Sequence, residues 1–172
     1  MAQVETPSEW VRRWAELVDR GPVLDVACGA GRHSLVFAER GLEVLAVDRE
    51  PQQIPGVRFL QADLEGAPWP FGGERFAAIV VTNYLHRPLF APLQSALAEE
   101  GVLIYETFMA GNERYGRPSN PAFLLRPAEL LAAFPELTPI GFEQGYVERP
   151  KPALIQRLCA RRGEVGGVRI AP

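Results

Sequence analysis

Asp25-Val26-Ala27-Cys28-Gly29-Ala30-Gly31 places a carboxylate just ahead of a glycine pair, and Asp48 closes the next apolar run. Glycines where a strand turns into a helix bring the backbone close to a ligand and accept conformations closed to other residues. A helix beginning beyond Gly31 offers unpaired N–H groups to negative charge. A carboxylate at Asp48 can accept hydrogen bonds from both hydroxyls of a ribose. These residue types in this order describe a site for a nucleoside-containing cofactor. Asp25, inside the first strand, has no role in cradling a pyrophosphate. It can hold the ammonium of an amino-acid moiety, directly or through water.

Such a site needs a βαβ frame, and the flanking sequence supplies one. Val23–Ala27 is a short apolar run suited to a buried strand, Arg32 to Arg40 is helical with Gly41 at its end, and Leu42–Val47 reads as a second strand. Strand, turn, helix and strand in so short a stretch make the two strands parallel. Upstream, Pro7-Ser8-Glu9 starts a helix in which Trp10, Val11, Trp14, Leu17 and Val18 recur at helical spacing, and Gly21-Pro22 stops it. Downstream, Pro51 and Pro55 leave little room for a helix before a third strand at about Val57–Gln61. Gly66 to Gly73 is an irregular connection, and Phe76–Thr82 is the clearest buried strand. A helix over Leu89–Glu99 then leads through Gly101 to a strand at Val102–Thr107. Phe108–Arg126 has no periodicity, Pro127 opens a short helix to Ala133, and Leu137–Val147 with Ala153–Ala160 form an antiparallel hairpin at a sheet edge.

The expected fold is therefore α/β: a Rossmann-like, doubly wound, mostly parallel sheet of seven strands with an antiparallel C-terminal hairpin. Residues 1–163 form one domain and 164–172 a flexible tail. A chain of 172 residues buries a core without disulfide or metal staples, and 47% hydrophobic with 23% charged residues is ordinary globular composition. A net charge of −3 offers no general attraction for nucleic acid. Cys28 and Cys159 match no zinc spacing, so no metal is expected, and both read as buried free thiols in a reducing compartment. Met1 to Glu9 shows no secretory signal, and no segment reaches the ~20 apolar residues of a membrane span. The expectation is a cytoplasmic monomer or homodimer.

Two cofactor classes compete for the glycine turn. A dinucleotide fingerprint needs G-x-G-x-x-G/A, and its third position here is Ser34. The stretch Val23-Leu24-Asp25-Val26-Ala27-Cys28-Gly29-Ala30-Gly31 instead resembles the first motif of the class I S-adenosylmethionine-dependent methyltransferases, with Ala27 where a glycine is common. Val47-Asp48, followed by Arg49, resembles the family's ribose-binding position. Gln61-Ala62-Asp63-Leu64 resembles its adenine-binding segment, where Asp63 would accept from the exocyclic amine. Phe76–Asn83 is similar to its fourth strand, which ends beside the transferred methyl group, and Glu100-Gly101-Val102-Leu103-Ile104 to its fifth. Gly31-Arg32-His33-Ser34-Leu35 is similar to the tellurite-resistance type of small methyltransferases, which implies that Arg32, with His33, faces the cofactor's carboxylate.

The resemblance implies S-adenosylmethionine as cofactor, held by Asp25, Ala27, Gly29, Gly31, Arg32, His33, Asp48, Arg49, Asp63, Leu64 and Asn83. Plainer roles stay open: Asp48 as a helix cap, Asp63 in a turn, Arg32 and His33 as surface residues of a first helical turn. In Asn83-Tyr84-Leu85-His86-Arg87, Tyr84 can line the methyl-transfer pocket and His86 can remove a substrate proton, or His86 simply opens the next helix. The connection after the fifth strand, with Asn112, Glu113, Arg114, Tyr115, Arg117 and Asn120, is placed to cover a substrate. With no large inserted domain, the acceptor is expected to be a small molecule. A nicotinamide-dependent oxidoreductase and a non-catalytic S-adenosylmethionine-binding protein are the alternatives.

Overall fold

The computed structural model describes residues 5–170. Part of the leader assessment (residues 1–4) and the tail's last two residues therefore lie outside the described residues. One seven-stranded sheet runs in the order β3-β2-β1-β4-β5-β7-β6. β1 (Val23–Val26), β2 (Val44–Asp48), β3 (Arg58–Gln61), β4 (Phe76–Thr82) and β5 (Leu97–Phe108) are mutually parallel. β7 (Ala153–Arg161), antiparallel to β5, and β6 (Thr138–Val147), antiparallel to β7, complete one edge. The expected doubly wound sheet and its C-terminal hairpin are both present.

The central strands are buried over their whole length because both faces are covered. β1 and β4 expose nothing to solvent and read as continuous apolar runs, Asp25 and Thr82 excepted. On one face, α1 (Glu9–Ala15) and α2 (Arg32–Ala38) pack Trp10, Trp14 and Phe37 against Val23, Val80 and Ile104. On the other, α3 (Phe90–Ser95) and α4 (Glu129–Ala133) join the β3–β4 connection, whose Trp69 and Phe71 pack with Phe76, Ile79 and Leu103. No helix separates β2 from β3. Ile54 of the connection packs there with Cys28 and Ala46, and Val57 packs against them.

The α3–β5 junction departs from the sequence expectation. The helix expected over Leu89–Glu99 begins as a single 3-10 turn at Arg87–Leu89 and ends at Ser95, while β5 already starts at Leu97. The cause is tertiary pairing overriding helix propensity. Phe76 donates its N–H to the Ala96 carbonyl at 2.8 Å, which draws the chain into the sheet at Leu97. A bulge between Phe76 and Ala78 then absorbs Glu100, whose φ is +63°, and Gly101, where a Cβ would stand 2.8 Å from the Ala98 carbonyl oxygen. Beyond β7, residues 164–170 form no regular element.

Candidate functional site

The carboxyl ends of the parallel strands open into one cavity of about 460 Å³. Ala27 follows β1, Asp48 and Arg49 end β2, Ala62-Asp63-Leu64-Glu65 follow β3, and Asn83-Tyr84-Leu85 follow β4. Thr107 and Phe108 end β5, and Pro118 and Phe123 come from the long connection beyond it. Seven of the residues singled out from sequence line this space: Ala27, Asp48, Arg49, Asp63, Leu64, Asn83 and Tyr84. Asp25, Gly29, Gly31, Arg32, His33 and His86 stand behind or beside it.

The glycine turn is built as its composition requires. Gly29 has φ +53° with nothing within 4 Å of where a Cβ would stand, so a ligand can approach it. Gly31 has φ +85°, and a Cβ there would meet Ile54 at 2.6 Å. Asp48 joins this turn to β2: its Oδ2 accepts from the Gly29 N–H at 2.9 Å and its Oδ1 from the Glu50 N–H at 3.0 Å. Each oxygen keeps a second lone pair. Ala27 sits at φ +53°, a left-handed conformation that costs an L-residue roughly 1–2 kcal/mol. Ala27→Gly removes that strain while loosening the unfolded chain, so we expect stability to rise by about 0.5–1 kcal/mol, read from denaturant midpoints at unchanged m-value. A variant no more stable than the parent would show that the local backbone is relaxed.

Asp25 is fully buried on β1 and has no ion-pair partner among the described residues, although Arg32 acts on it from a distance. The Ser34 hydroxyl of α2 donates to its Oδ2 at 2.6 Å, while its Oδ1 has no partner. Burial dominates, raising the carboxyl pKa from 3.8 to about 7 against the lowering effect of Ser34. Cys28, also behind the turn, has its thiol pushed up to about 12, mainly by burial and then by Asp25. That suits a packing role and not a nucleophile.

Arg32 and His33 do not line the cavity. The Arg32 guanidinium pairs with Glu5 at 2.9 Å and reaches the Thr6 carbonyl. His33 is buried: its Nε2 accepts from the Ser8 N–H at 3.0 Å and its Nδ1 lies 3.1 Å from the Thr82 hydroxyl. Because Nε2 accepts, Nδ1 carries the proton and donates to Thr82. Burial first, and Arg32 second, drive its pKa down to about 3, so it is a neutral connector between the start of α1 and the end of β4.

At the other end, Asn83 leaves β4 with φ +53°, turning the chain so that Tyr84 faces the cavity. Tyr84 is half-buried; desolvation, then Glu65 and Asp63, push its phenol up to about 12, so it acts as a neutral hydrogen-bonding group. The Asp63 carboxylate accepts from the Glu65 N–H at 2.9 Å, and backbone bonds from Glu65 and Gly66 hold its pKa below the usual carboxylate range. His86 does open the next helical turn, with Leu89 N–H on its carbonyl, and its Nδ1 lies 3.3 Å from Glu65. Glu65, Leu85, Thr107, Phe108, Pro118 and Phe123 were not singled out from sequence. Only the position of the long connection hinted at the last two.

That connection is ordered by polar ties. Asn112 donates to the Pro118 carbonyl at 3.0 Å and accepts from the Leu154 N–H at 3.0 Å, fastening it to β7. Arg87 makes a bidentate pair with Glu129, at 2.6 and 3.0 Å, and donates to the carbonyls of Ala122 and Leu124. Phe123, between those two carbonyls, is thus held at the cavity although it is 49% exposed.

Residues 23–101 match the methyltransferase domain. The chain is also 29% identical over 118 residues to YqeM of Bacillus subtilis, a methyltransferase by name, with 58% of the chain aligned to 46% of YqeM. The chain thus spans about half the length of that relative. Among solved structures, TehB from Haemophilus influenzae superposes with a TM-score of 0.76 at 16% identity, covering 91% of this chain and 63% of TehB. A TehB-like S-adenosylmethionine-dependent methyltransferase from Corynebacterium glutamicum gives 0.65 at 19% identity, covering 90% and 87%. The 1,6-didemethyltoxoflavin N1-methyltransferase of Burkholderia thailandensis, solved with S-adenosylhomocysteine, gives 0.64 at 21% identity, covering 90% and 76%. At these identities the structural likeness is one of fold.

Proposed function

We propose that this protein is an S-adenosylmethionine-dependent methyltransferase acting on a small-molecule acceptor. The observation that carries the reading is a single cavity running from Asp48, at the glycine turn, past Asn83 and Tyr84 to the connection beyond β5. One end suits a nucleoside and the other a second reactant. S-adenosylmethionine supplies a methyl group made electrophilic by its sulfonium charge. Asp48, with unused lone pairs on both carboxylate oxygens, accepts from the ribose hydroxyls, and Asp63 with Leu64 borders the adenine. The unpartnered Oδ1 of Asp25 fits a group with N–H donors, which is what the cofactor's ammonium offers. The acidic character of the cavity suits a cationic cofactor.

A dinucleotide reading has less support. Ser34 holds the third fingerprint position and fastens α2 to Asp25 through its hydroxyl. Two free, buried thiols fit a reducing compartment, and we place the enzyme in the cytoplasm.

On the acceptor side the chain's work is alignment and removal of one proton. Pairing with Glu65 keeps the proton of His86 on Nδ1, leaving Nε2 free to take one from the acceptor. His86→Ala is expected to leave S-adenosylhomocysteine affinity within twofold and to slow turnover by about 10²–10⁴. Turnover at the parental rate would remove His86 from the reaction. The reading itself is tested by calorimetric titration of the full chain with S-adenosylhomocysteine, expected to bind in the micromolar range (about −8 kcal/mol). A folded protein that does not bind it would overturn the assignment.

A further inference from the structure

The acceptor end of the cavity has a chemical bias that narrows the acceptor. Its walls are Tyr84, Leu85, Phe108, Pro118 and Phe123, and the carboxylate that bears most on Tyr84 is that of Glu65, ahead of Asp63. The cavity lining as a whole carries three carboxylates, Asp48, Asp63 and Glu65, against one guanidinium, Arg49. Arg49 stands beside Asp48 at the cofactor end and pairs with Glu50 at 3.8 Å. Of the other groups near the acceptor end that can carry positive charge, His86 is turned to Glu65, Arg87 is bound to Glu129 and two carbonyls, and Arg117, next to Pro118, is exposed and outside the lining. An anionic acceptor would enter against this field and find no cation in the lining to receive it.

Phe123 points the same way independently. A large aromatic side chain left half exposed is ordinarily free to move. Here the carbonyls on either side of it are both held by Arg87, at 3.1 and 2.9 Å. With its backbone fixed in this way Phe123 offers the cavity a stacking face, and Tyr84 and Phe108 line the same cavity with further ring surface. Rings of this kind favour flat partners and, through their quadrupoles, cations.

We infer that the acceptor is a flat nitrogen-containing aromatic compound, neutral or cationic, stacked on Phe123 with its amine toward Glu65, and that oxyanions and carboxylates are not acceptors. This rests on the methyltransferase reading. Four probes of known charge test it against the full chain saturated with S-adenosylhomocysteine: cationic 4-aminoquinoline, neutral 3-aminoquinoline, anionic 1-naphthoate and selenite. In calorimetric titration both amines should bind at least about tenfold more tightly than either anion, the worth of one charge-assisted hydrogen bond. Phe123→Ala should weaken both amines, and Glu65→Gln should abolish the preference for 4-aminoquinoline over 3-aminoquinoline. Anions binding as well as the amines, amines indifferent to both substitutions, or no probe binding at all would overturn the inference while leaving the cofactor assignment intact. Failure of S-adenosylhomocysteine itself to bind would remove both.

Discussion

Asp48→Ala weakens S-adenosylhomocysteine binding by about 1–3 kcal/mol, roughly five- to 150-fold in Kd, when titrated well below the melting temperature of the variant. Two losses combine in that number. The first is the pair of charge-assisted bonds that the carboxylate gives a ribose. The second is organisation of the turn, since Asp48 also receives the N–H groups of Gly29 and Glu50. Asp48→Asn separates them. Its amide carbonyl still accepts from one of those N–H groups, but it carries no charge and offers the ribose one acceptor. We expect it to fall between the parent and the alanine variant in affinity and to melt closer to the parent. Equal affinities for parent and alanine variant would return Asp48 to a purely architectural part and would leave the nucleoside end of the cavity without its defining group.

Asp48 was legible because everything that makes it useful is local: an apolar run, a glycine turn upstream, and a carboxylate at a strand end. The same holds for β1, β4 and the β6–β7 hairpin, whose apolar runs and flanking turn residues need no knowledge of the rest of the chain. What the sequence hides is contact over distance. His33 has the look of a first-turn residue free to meet a ligand, yet its partners are Ser8, 25 positions away, and Thr82, 49 positions away. Glu65 sits in a polar turn and gains meaning only when the crossover brings it to His86. Arg87 and Glu129 are separated by 42 positions, and neither neighbourhood hints at the other. Phe123 is unremarkable in sequence because its importance comes from the two carbonyls that Arg87 holds. The misjudged α3–β5 junction has the same origin: Ala98-Glu99-Glu100 is good helix sequence, overruled by pairing with β4.

Asp25→Asn is expected to move stability and affinity in opposite directions, which a merely structural residue would not do. The native carboxyl titrates near 7 and its unfolded value is 3.8. Below the unfolded value both states hold the proton and folding costs nothing extra. Between the two values unfolding releases a proton, so stability falls as pH rises and levels off above about 7. The raised pKa corresponds to about 2–4 kcal/mol of stability lost by pH 8. Asparagine cannot ionise, so the variant should be more stable than the parent by about that amount at pH 8 and nearly equal to it at pH 4. Chemical denaturation across that range reads the difference directly. Binding runs the other way. If Oδ1 receives the ammonium of the cofactor, the carboxylate must be charged in the complex, so binding below pH 7 expels its proton. Affinity of the parent for S-adenosylhomocysteine should then weaken as pH falls from 7, approaching about tenfold per unit, and the proton should appear in calorimetry performed in buffers of different ionisation enthalpy. Asp25→Asn should bind more weakly at pH 8 and lose the pH dependence. A variant that binds like the parent and releases no fewer protons would detach Asp25 from the cofactor and leave its cost to the fold without a functional return.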